Sequence, residues 1–308
     1  MNVTVYLPFL ISGLFGRTAP ALARRLPPAM ATWLLGVGGL LAAAGSTASL
    51  ALLAFPLIAQ NHMLAARGGW SNATVRHGDP VATPISLLAL IILLLAVIRL
   101  GLAGAQRLAA LRAAYRLAAA LPAPGGELAV VNGPERQAYA VPGRPGRIVL
   151  STGLLRALSS TERRAVLAHE RAHLEHRHHL HHTITLLAAA VNPLLGRLPS
   201  AVAMAAERWA DESAARSCPR GVVADAVAHA ATGGHRAAAI PGVVLGAAEG
   251  DVFLRIQALR APAPRLSLWR VTLLIGLLAA STAAVLNAAQ EADRLLDLAQ
   301  AAYRATGR

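Results

Sequence analysis

The residues best suited to chemistry lie in the stretch LAHERAHLEH, which contains His169, Glu170 and His173. Residues four apart lie on one face of an α-helix, so the two imidazoles can bind a single Zn²⁺. Glu170 then lies beside the ion, where a carboxylate can act as the general base toward a hydrolytic water. This HExxH spacing predicts zinc-dependent hydrolysis with one ion per chain.

A catalytic zinc site needs a third protein ligand and one open position. His179 stands six residues after His173, but enzymes with a ligand at that spacing have a glycine turn where this chain has His176. Glu207 is the second candidate, on a separate predicted helix. Asp211 lies one turn further on the same face and could accept a hydrogen bond from a ligating imidazole. The pairing of Glu207 with Asp211 is the more specific of the two patterns.

A run of histidines, HLEHRHHLHH, surrounds the end of this motif. It adds His176, His178, His179, His181 and His182. A second metal site is one interpretation, but solvated histidines near the lipid headgroups are favoured. Of these residues, His176 lies nearest the face of the HExxH imidazoles, and we expect it to contact the site.

Short-range signals indicate the elements that must position these residues. Ser159 and Glu162 form a capping box, so the motif helix is expected to begin there. No Gly or Pro interrupts the chain from that point to Pro193, and a further helix is predicted over 201–216. Strand-like pieces before the motif, separated by Gly- and Pro-rich turns, predict a small sheet with an exposed edge. These pieces are 128–131, 138–141 and 148–151.

The composition places the chain in a membrane. Of its 308 residues, 55% are apolar and 14% are charged, whereas a soluble domain has roughly a quarter charged residues. Four uncharged runs approach the length of a spanning helix. We predict spans at 1–16, 29–58, 81–98 and 271–289. Residues 183–196 are too short to cross and are expected to form an interfacial or re-entrant helix.

Arginine placement predicts the orientation of the spans. The loop 17–28 holds three Arg and is expected to be cytoplasmic, and the loop 59–80 is expected to be extracellular. Residues 99–270 then form the cytoplasmic domain, and the tail 290–308 lies outside. All the basic residues are Arg, which is weak evidence for a nucleic-acid partner, and the three Arg of 107–116 are expected to face lipid headgroups or solvent and not nucleic acid. The predicted fold is mainly α, with multipass transmembrane helices and a cytoplasmic zincin-like α+β minidomain that carries the small sheet.

The stretch AYAVPGRPGRIVLSTGLLRALSSTERRAVLAHERAHLEHRHH, followed by AERWADESAAR, resembles the integral-membrane gluzincin metallopeptidases of the BlaR/MecR antirepressor type. It is also similar to the related HtpX-like and CAAX-protease group. The resemblance covers roughly 139–216 and agrees with the arrangement of spans. It implies a zinc endopeptidase in the plasma membrane of a bacterium, with its active site facing the cytoplasm.

The resemblance also implies roles for individual residues. His169, His173 and Glu207 would be the zinc ligands, Glu170 the general base and Asp211 a hydrogen-bond partner of a ligand. The segment Ala138, Tyr139 and Ala140 would be an edge strand that holds an extended substrate. The sequence does not identify the group that stabilises the oxyanion; His229, His235 and Arg208 are candidates, but the interpretation as a surface residue is favoured for each.

The expected partners are a protein or peptide substrate and the lipid bilayer, with a separate sensor protein or a transcriptional repressor as further candidates. The sequence has no Lys and hence no Ser-x-x-Lys nucleophile of a penicillin-binding sensor. We therefore expect no direct sensing of β-lactams. The alternatives are an HtpX-like protease for membrane-protein quality control, or a non-enzymatic membrane metal sensor that uses the His-rich helix.

Overall fold

The structure is a computed structural model that describes residues 3–78, 81–122, 126–231, 249–262 and 268–306. It is mainly helical with one three-stranded sheet, as predicted. The helices are α1 Leu7–Arg25, α2 Pro28–Ala59, α3 His62–Gly68, α4 Asn72–Gly78, α5 Thr83–Ala120, α6 Thr152–Ala157, α7 Ser160–Glu175, α8 His178–Val191, α9 Leu198–Ala214, α10 Arg220–Ala231, α11 Glu249–Arg260 and α12 Leu268–Thr306. The strands are β1 Leu128–Val131, β2 Ala138–Val141 and β3 Arg147–Ser151.

Four helices in the described part of the chain are long and apolar enough to cross a membrane, which agrees with the predicted number of spans. They cover Thr4–Arg25, Pro28–Ala59, Thr83–Ala120 and Leu268–Ala305. At 1.5 Å per residue, α5 is about 57 Å long, whereas the hydrocarbon core is about 30 Å thick. Much of α5 therefore extends beyond the apolar layer and reaches the sheet.

The helices are longer than the predicted spans. Most of the predicted loop 17–28 is helical, because α1 continues to Arg25. The positive charges of Arg24 and Arg25 in its last turn stabilise the helix, since its C-terminal end carries the negative end of the helix dipole. The predicted tail 290–308 is likewise helical as far as Thr306, within α12. The N–H of Ser71 donates to the carbonyl of Ala299 at 2.8 Å. The predicted loop 59–80 and the tail thus lie at the same end of the bundle.

The hairpin of α8 and α9 packs inside the helical bundle. Leu195 and Leu198 at its turn are fully buried against Phe15 of α1 and Leu35 of α2. The side-chain amide of Asn192 donates to the hydroxyl of Ser46 at 2.8 Å in this buried contact. The segment 183–196, predicted as interfacial or re-entrant, therefore lies against the spanning helices.

Gly16 permits the close approach of α1 to this hairpin. A Cβ at Gly16 would lie 2.0 Å from the backbone oxygen of Leu194, whereas a Cβ at Gly13 would meet nothing within 4 Å. We therefore expect Gly16→Ala to lower the stability by about 1–3 kcal/mol through overpacking. Gly13→Ala should leave it unchanged or raise it by up to about 1 kcal/mol, because Ala favours helix.

Thermal unfolding of both variants in detergent would test the contact. A melting temperature of Gly16→Ala equal to that of Gly13→Ala would show that α1 does not need the glycine to pack on the hairpin.

The sheet lies between the end of α5 and α7. Its strand order is β1-β3-β2, with β1 parallel and β2 antiparallel to β3. Val149 packs toward Ala114 and Ala118 of α5, while Ile148 and Leu150 pack toward the core under α7. The three predicted strand pieces are thus confirmed, and the alternation of side chains along β3 explains how the sheet contacts a helix on each face.

β2 is an edge strand with one open side. The N–H of Ser151 donates to the carbonyl of Gln137 at 2.9 Å, which fixes the alternation of hydrogen bonds along the antiparallel pair. By this alternation, the backbone groups of Tyr139 face β3, and those of Ala138 and Ala140 face away from it. Among the described residues, no further strand pairs with that side of the sheet.

The motif helix begins as predicted but ends early. The Ser159 hydroxyl accepts from the N–H of Glu162, and the Glu162 carboxylate accepts from the N–H of Ser159, so the capping box is confirmed. Although no Gly or Pro interrupts the chain from Ser159 to Pro193, Arg177 adopts a left-handed conformation (φ 50°, ψ 44°) between α7 and α8. The chain changes direction there, and α8 begins at His178.

Candidate metal centre

Three side chains from two helices converge in the domain beyond the bundle. The Nε2 atoms of His169 and His173, both on α7, lie 3.1 Å apart. The two carboxylate oxygens of Glu207 on α9 lie beside them, Oε2 at 3.5 Å from His169 and Oε1 at 3.5 Å from His173. Within the described residues, these three form the group that could hold a metal ion.

The spacing of these atoms fits a tetrahedral ion. Ligand bonds of about 2.0–2.1 Å at tetrahedral angles separate the ligand atoms by roughly 3.3 Å, close to the separations observed here. Two imidazoles and a carboxylate are also a donor set that Zn²⁺ accepts in catalytic sites. The residues present therefore fit a zinc ion.

Arg255 on α11 joins the site from a third helix. Its Nε and one Nη donate to the two oxygens of Asp211 at 2.8 and 2.7 Å, and its other Nη lies 2.8 Å from Glu207. Asp211 in turn lies 3.0 Å from Nδ1 of His169. Asp211 thus lies beside the outer nitrogen of one imidazole, the atom for which it was predicted as a partner, while Arg255 balances the charge of both carboxylates.

The pKa values of the two imidazoles are shifted in opposite directions although both rings are buried. Burial lowers the pKa of His173 to about 4. Burial also opposes the charged form of His169, but the carboxylates of Asp211 and Glu207 outweigh it and raise its pKa to about 10. Burial alone would raise the pKa of Glu207, but Arg255 and the two imidazoles hold it well below its usual range. Without an ion, the imidazolium of His169 thus supplies positive charge that a bound cation would replace.

Glu170 lies between this group and the sheet. Burial raises the pKa of its carboxyl to about 7, against the opposing effects of His169 and Arg255. The carboxylate also accepts a hydrogen bond from the backbone of Ala140, on the open side of β2. A carboxylate whose pKa lies near neutrality and which faces an open strand edge is suited to move a proton beside a bound peptide.

Arg255 was not singled out in the sequence. It lies in the helix GDVFLRIQALR, where Leu259 one turn later is buried on the same face. A charged residue on the buried stripe of a helix predicts a buried partner, since an unpaired charge in the interior is unfavourable. That pattern could have identified it, but nothing in the sequence names Asp211 and Glu207 as the partners.

Removal of the Arg255 charge should destabilise the domain. We expect Arg255→Gln to lower the free energy of unfolding by about 3–5 kcal/mol, because two buried carboxylates lose their counter-charge. The control is Arg260→Gln at the exposed end of α11, which should change little. Thermal unfolding of the metal-free proteins measures the difference, and equal melting temperatures would contradict the charge-balancing role of Arg255.

The histidine run differs from the prediction. His178, and not His176, contacts the motif pair, with its Nδ1 2.8 Å from Nδ1 of His173. His176 stacks on Trp209 with a ring separation of 4.2 Å. The prediction of solvated histidines is wrong for His178 and His181, which are buried. In the described part of the chain, none of the five histidines that follow His173 in the run, His179 among them, belongs to a metal-holding group.

The oxyanion candidates have other partners. Arg208 is buried and donates to the backbone carbonyls of Ala23 and Arg24 at the end of α1, so it points away from the site. His229 lies 2.5 Å from the carboxylate of Glu162 at the start of α7. His235 lies outside the described residues. The structure therefore brings neither Arg208 nor His229 to the ligand group.

Residues 107–232 match the model of Peptidase family M48, over about two fifths of the chain. The matched segment includes α7, α9 and the sheet, but not Arg255. No solved structure matches the chain. The match names neither the BlaR/MecR type nor the HtpX-like group, so the subtype remains a prediction. The chain therefore contains, over residues 107–232, a domain similar to Peptidase family M48, and this similarity supports a metallopeptidase.

Proposed function

We propose that this protein is a membrane-embedded, zinc-dependent endopeptidase whose active site faces the cytoplasm. The observation that carries the proposal is the convergence of His169, His173 and Glu207 on one point, with Glu170 between that point and the open edge of β2. A structural zinc site has no use for an adjacent base, whereas a hydrolytic site requires one.

His169, His173 and Glu207 would hold one Zn²⁺ per chain. When bound, the ion supplies a Lewis acid that polarises the scissile carbonyl and lowers the pKa of water. Asp211, 3.0 Å from Nδ1 of His169, would orient that imidazole and leave its Nε2 available to the ion.

Glu170 is the proposed general base. Its carboxylate takes a proton from the attacking water and returns it to the amine of the leaving peptide. With a pKa of about 7 in its buried position, the group can accept and release a proton near neutral pH.

The edge strand β2 is the proposed binding site for the substrate backbone. An extended peptide can add to a sheet edge through main-chain hydrogen bonds. The groups that face the open side belong to Ala138 and Ala140, whereas those of Tyr139 are directed toward β3. Since the N–H of Ala140 donates to Glu170, we assign backbone pairing to the groups of Ala138 and the carbonyl of Ala140, and not to Tyr139.

The proposed substrate is a protein or peptide close to the cytoplasmic surface of the membrane. The attachment of the domain to the helical bundle supports a substrate near the membrane, since Arg208 of the ligand-bearing helix binds the end of α1 and the α8–α9 hairpin packs into the bundle. A repressor and a misfolded membrane protein are both substrates of this kind. Trapping of substrates in cells with the inactive Glu170→Gln variant would separate the BlaR/MecR-like role from the HtpX-like one.

Removal of the metal tests the proposed activity. The full-length protein, purified in detergent and treated with a chelator, is expected to cleave casein at no more than background rate. One equivalent of Zn²⁺ should restore cleavage, whereas Mg²⁺ should not, because Mg²⁺ prefers oxygen ligands. Peptide release and metal content measure the two effects together.

Cleavage that persists in protein without metal would contradict the proposal, and so would zinc-loaded protein that cleaves nothing. The non-enzymatic metal sensor predicts the second of these results.

A further inference from the structure

The break between α7 and α8 places an additional imidazole on the metal group. In an uninterrupted helix, residues five apart are rotated by about 140° and do not meet. The left-handed Arg177 (φ 50°, ψ 44°) redirects the chain, and His178 folds back against His173. Such a conformation is uncommon for a residue other than Gly, so the surrounding packing must hold it.

His178 is enclosed at this position. It is 1% exposed, and its ring meets that of His173 edge-on, with centroids 4.8 Å apart. Trp209 lies on its other side, at 5.1 Å between ring centroids. Because Trp209 follows Glu207 by two residues on α9, the helix that carries the carboxylate of the group also packs against His178.

The two nitrogens of His173 face different partners. Its Nε2 lies 3.1 Å from Nε2 of His169, inside the metal-holding group, and its Nδ1 lies 2.8 Å from Nδ1 of His178. A neutral imidazole carries one N–H, and the nitrogen that binds a metal must be without it. If His173 binds through Nε2, its Nδ1–H must be the donor, and His178 must accept through Nδ1.

The surroundings of His178 are consistent with the acceptor role. As a neutral acceptor at Nδ1, it carries its own hydrogen on Nε2. That nitrogen is buried and has no hydrogen-bond partner among the described residues. An unpaired buried donor is unfavourable, so the contact with His173 is retained at the expense of stability.

We propose that His178 is a positioning residue that fixes His173 in the tautomer whose Nε2 is free to bind the metal. The inference rests on the proposed zinc site. The two ligating imidazoles are then held differently, His169 by the carboxylate of Asp211 and His173 by a neutral imidazole. Partners of this kind orient the ligand ring, and their loss typically weakens metal binding 10–100-fold.

Two substitutions separate hydrogen bonding from packing. His178→Phe keeps an aromatic ring but removes the acceptor, and we expect zinc affinity to fall about 10–100-fold. His178→Asn offers its side-chain oxygen near the place of Nδ1 and should keep the affinity within about threefold of the wild type. His181→Phe is the control, because His181 is a buried histidine of α8 that contacts Trp33 and no ligand.

Zinc dissociation constants are measured by competition with a chelator at pH 7.5 on full-length protein in detergent. The rate at saturating zinc is measured beside them. His178→Phe should lose affinity and keep most of its maximal rate, because His178 acts through His173 and not on substrate. His178→Leu replaces the Phe variant if the latter does not fold, as judged by thermal unfolding.

Equal zinc affinity of the wild type and a folded His178→Phe or His178→Leu would overturn the assignment and leave the proposed peptidase intact. Loss of affinity in His178→Asn equal to that in His178→Phe would also overturn it, because packing alone would then account for both. A wild-type protein that binds no zinc would instead overturn the proposed function.

Discussion

Glu170→Gln is expected to reduce the rate of peptide hydrolysis by about 10²–10⁴-fold while zinc content stays at one ion per chain. The amide has the size and shape of the carboxylate but cannot take a proton from the attacking water. Glu170 is not a member of the metal-holding group, so its replacement removes no ligand. Casein cleavage and the metal content of purified protein measure the two effects.

The matched control is Glu175→Gln, which removes an acid from the exposed end of the same helix and should leave both quantities unchanged. Undiminished cleavage by Glu170→Gln would remove Glu170 from its proposed role. Loss of zinc together with activity would show instead that the carboxylate supports the ion and does not act as a base.

The HExxH part of the site was predictable because it depends on one local regularity. In α7, a spacing of four residues places two side chains on the same face whatever the rest of the chain does. The capping box at Ser159 is equally local, and it fixes where that helix begins. The three strands were likewise found from short apolar pieces between Gly- and Pro-rich turns.

Glu207 and Asp211 required more than local regularity. Their spacing predicts that they share a helix face, but it does not place that face opposite α7. The structure does so through the α8–α9 hairpin, whose turn is buried against α1 and α2. The sequence indicated an apolar connector, whereas the direction of the returning helix depends on packing among distant segments.

The features that sequence reasoning missed depend on contacts distant in sequence or on one backbone conformation. Arg255 reaches the carboxylates from a helix more than forty residues beyond Asp211. His178 reaches His173 because Arg177 adopts positive φ, a conformation for which Arg has no preference. The predicted contact from His176 is wrong for another reason: the N–H of His176 still donates to the carbonyl of Ala172, so α7 keeps its register there, but the ring stacks on Trp209 of α9.

The number of long apolar helices was predicted correctly, but the residues at which they end were not. Absence of charge locates the apolar core of a span, but a helix continues into polar sequence as long as its backbone hydrogen bonds are satisfied. α5 illustrates this, because several Arg lie in the half of the helix that reaches the sheet, and the helix is continuous from Thr83 to Ala120.

Removal of Glu207, the carboxylate of the metal-holding group, is expected to have the second large effect, a loss of zinc affinity. Glu207→Ala is expected to weaken zinc binding by more than about 100-fold, beyond the range typical of residues that only orient a ligand. Two imidazoles would remain, and they leave the ion with too few protein ligands for a catalytic site. Hydrolysis should be lost with the metal, and chelator competition measures the change in affinity.

The fold should survive this substitution, because Arg255 keeps both hydrogen bonds to Asp211 when Glu207 is removed. Glu212→Ala on the same helix is the control, since Glu212 pairs with Arg220 away from the group. Zinc should raise the melting temperature of the wild type and of Glu212→Ala, because a ligand that binds the folded state stabilises it. It should not raise that of Glu207→Ala, and an equal zinc-dependent rise in all three proteins would show that the carboxylate of α9 does not bind the ion.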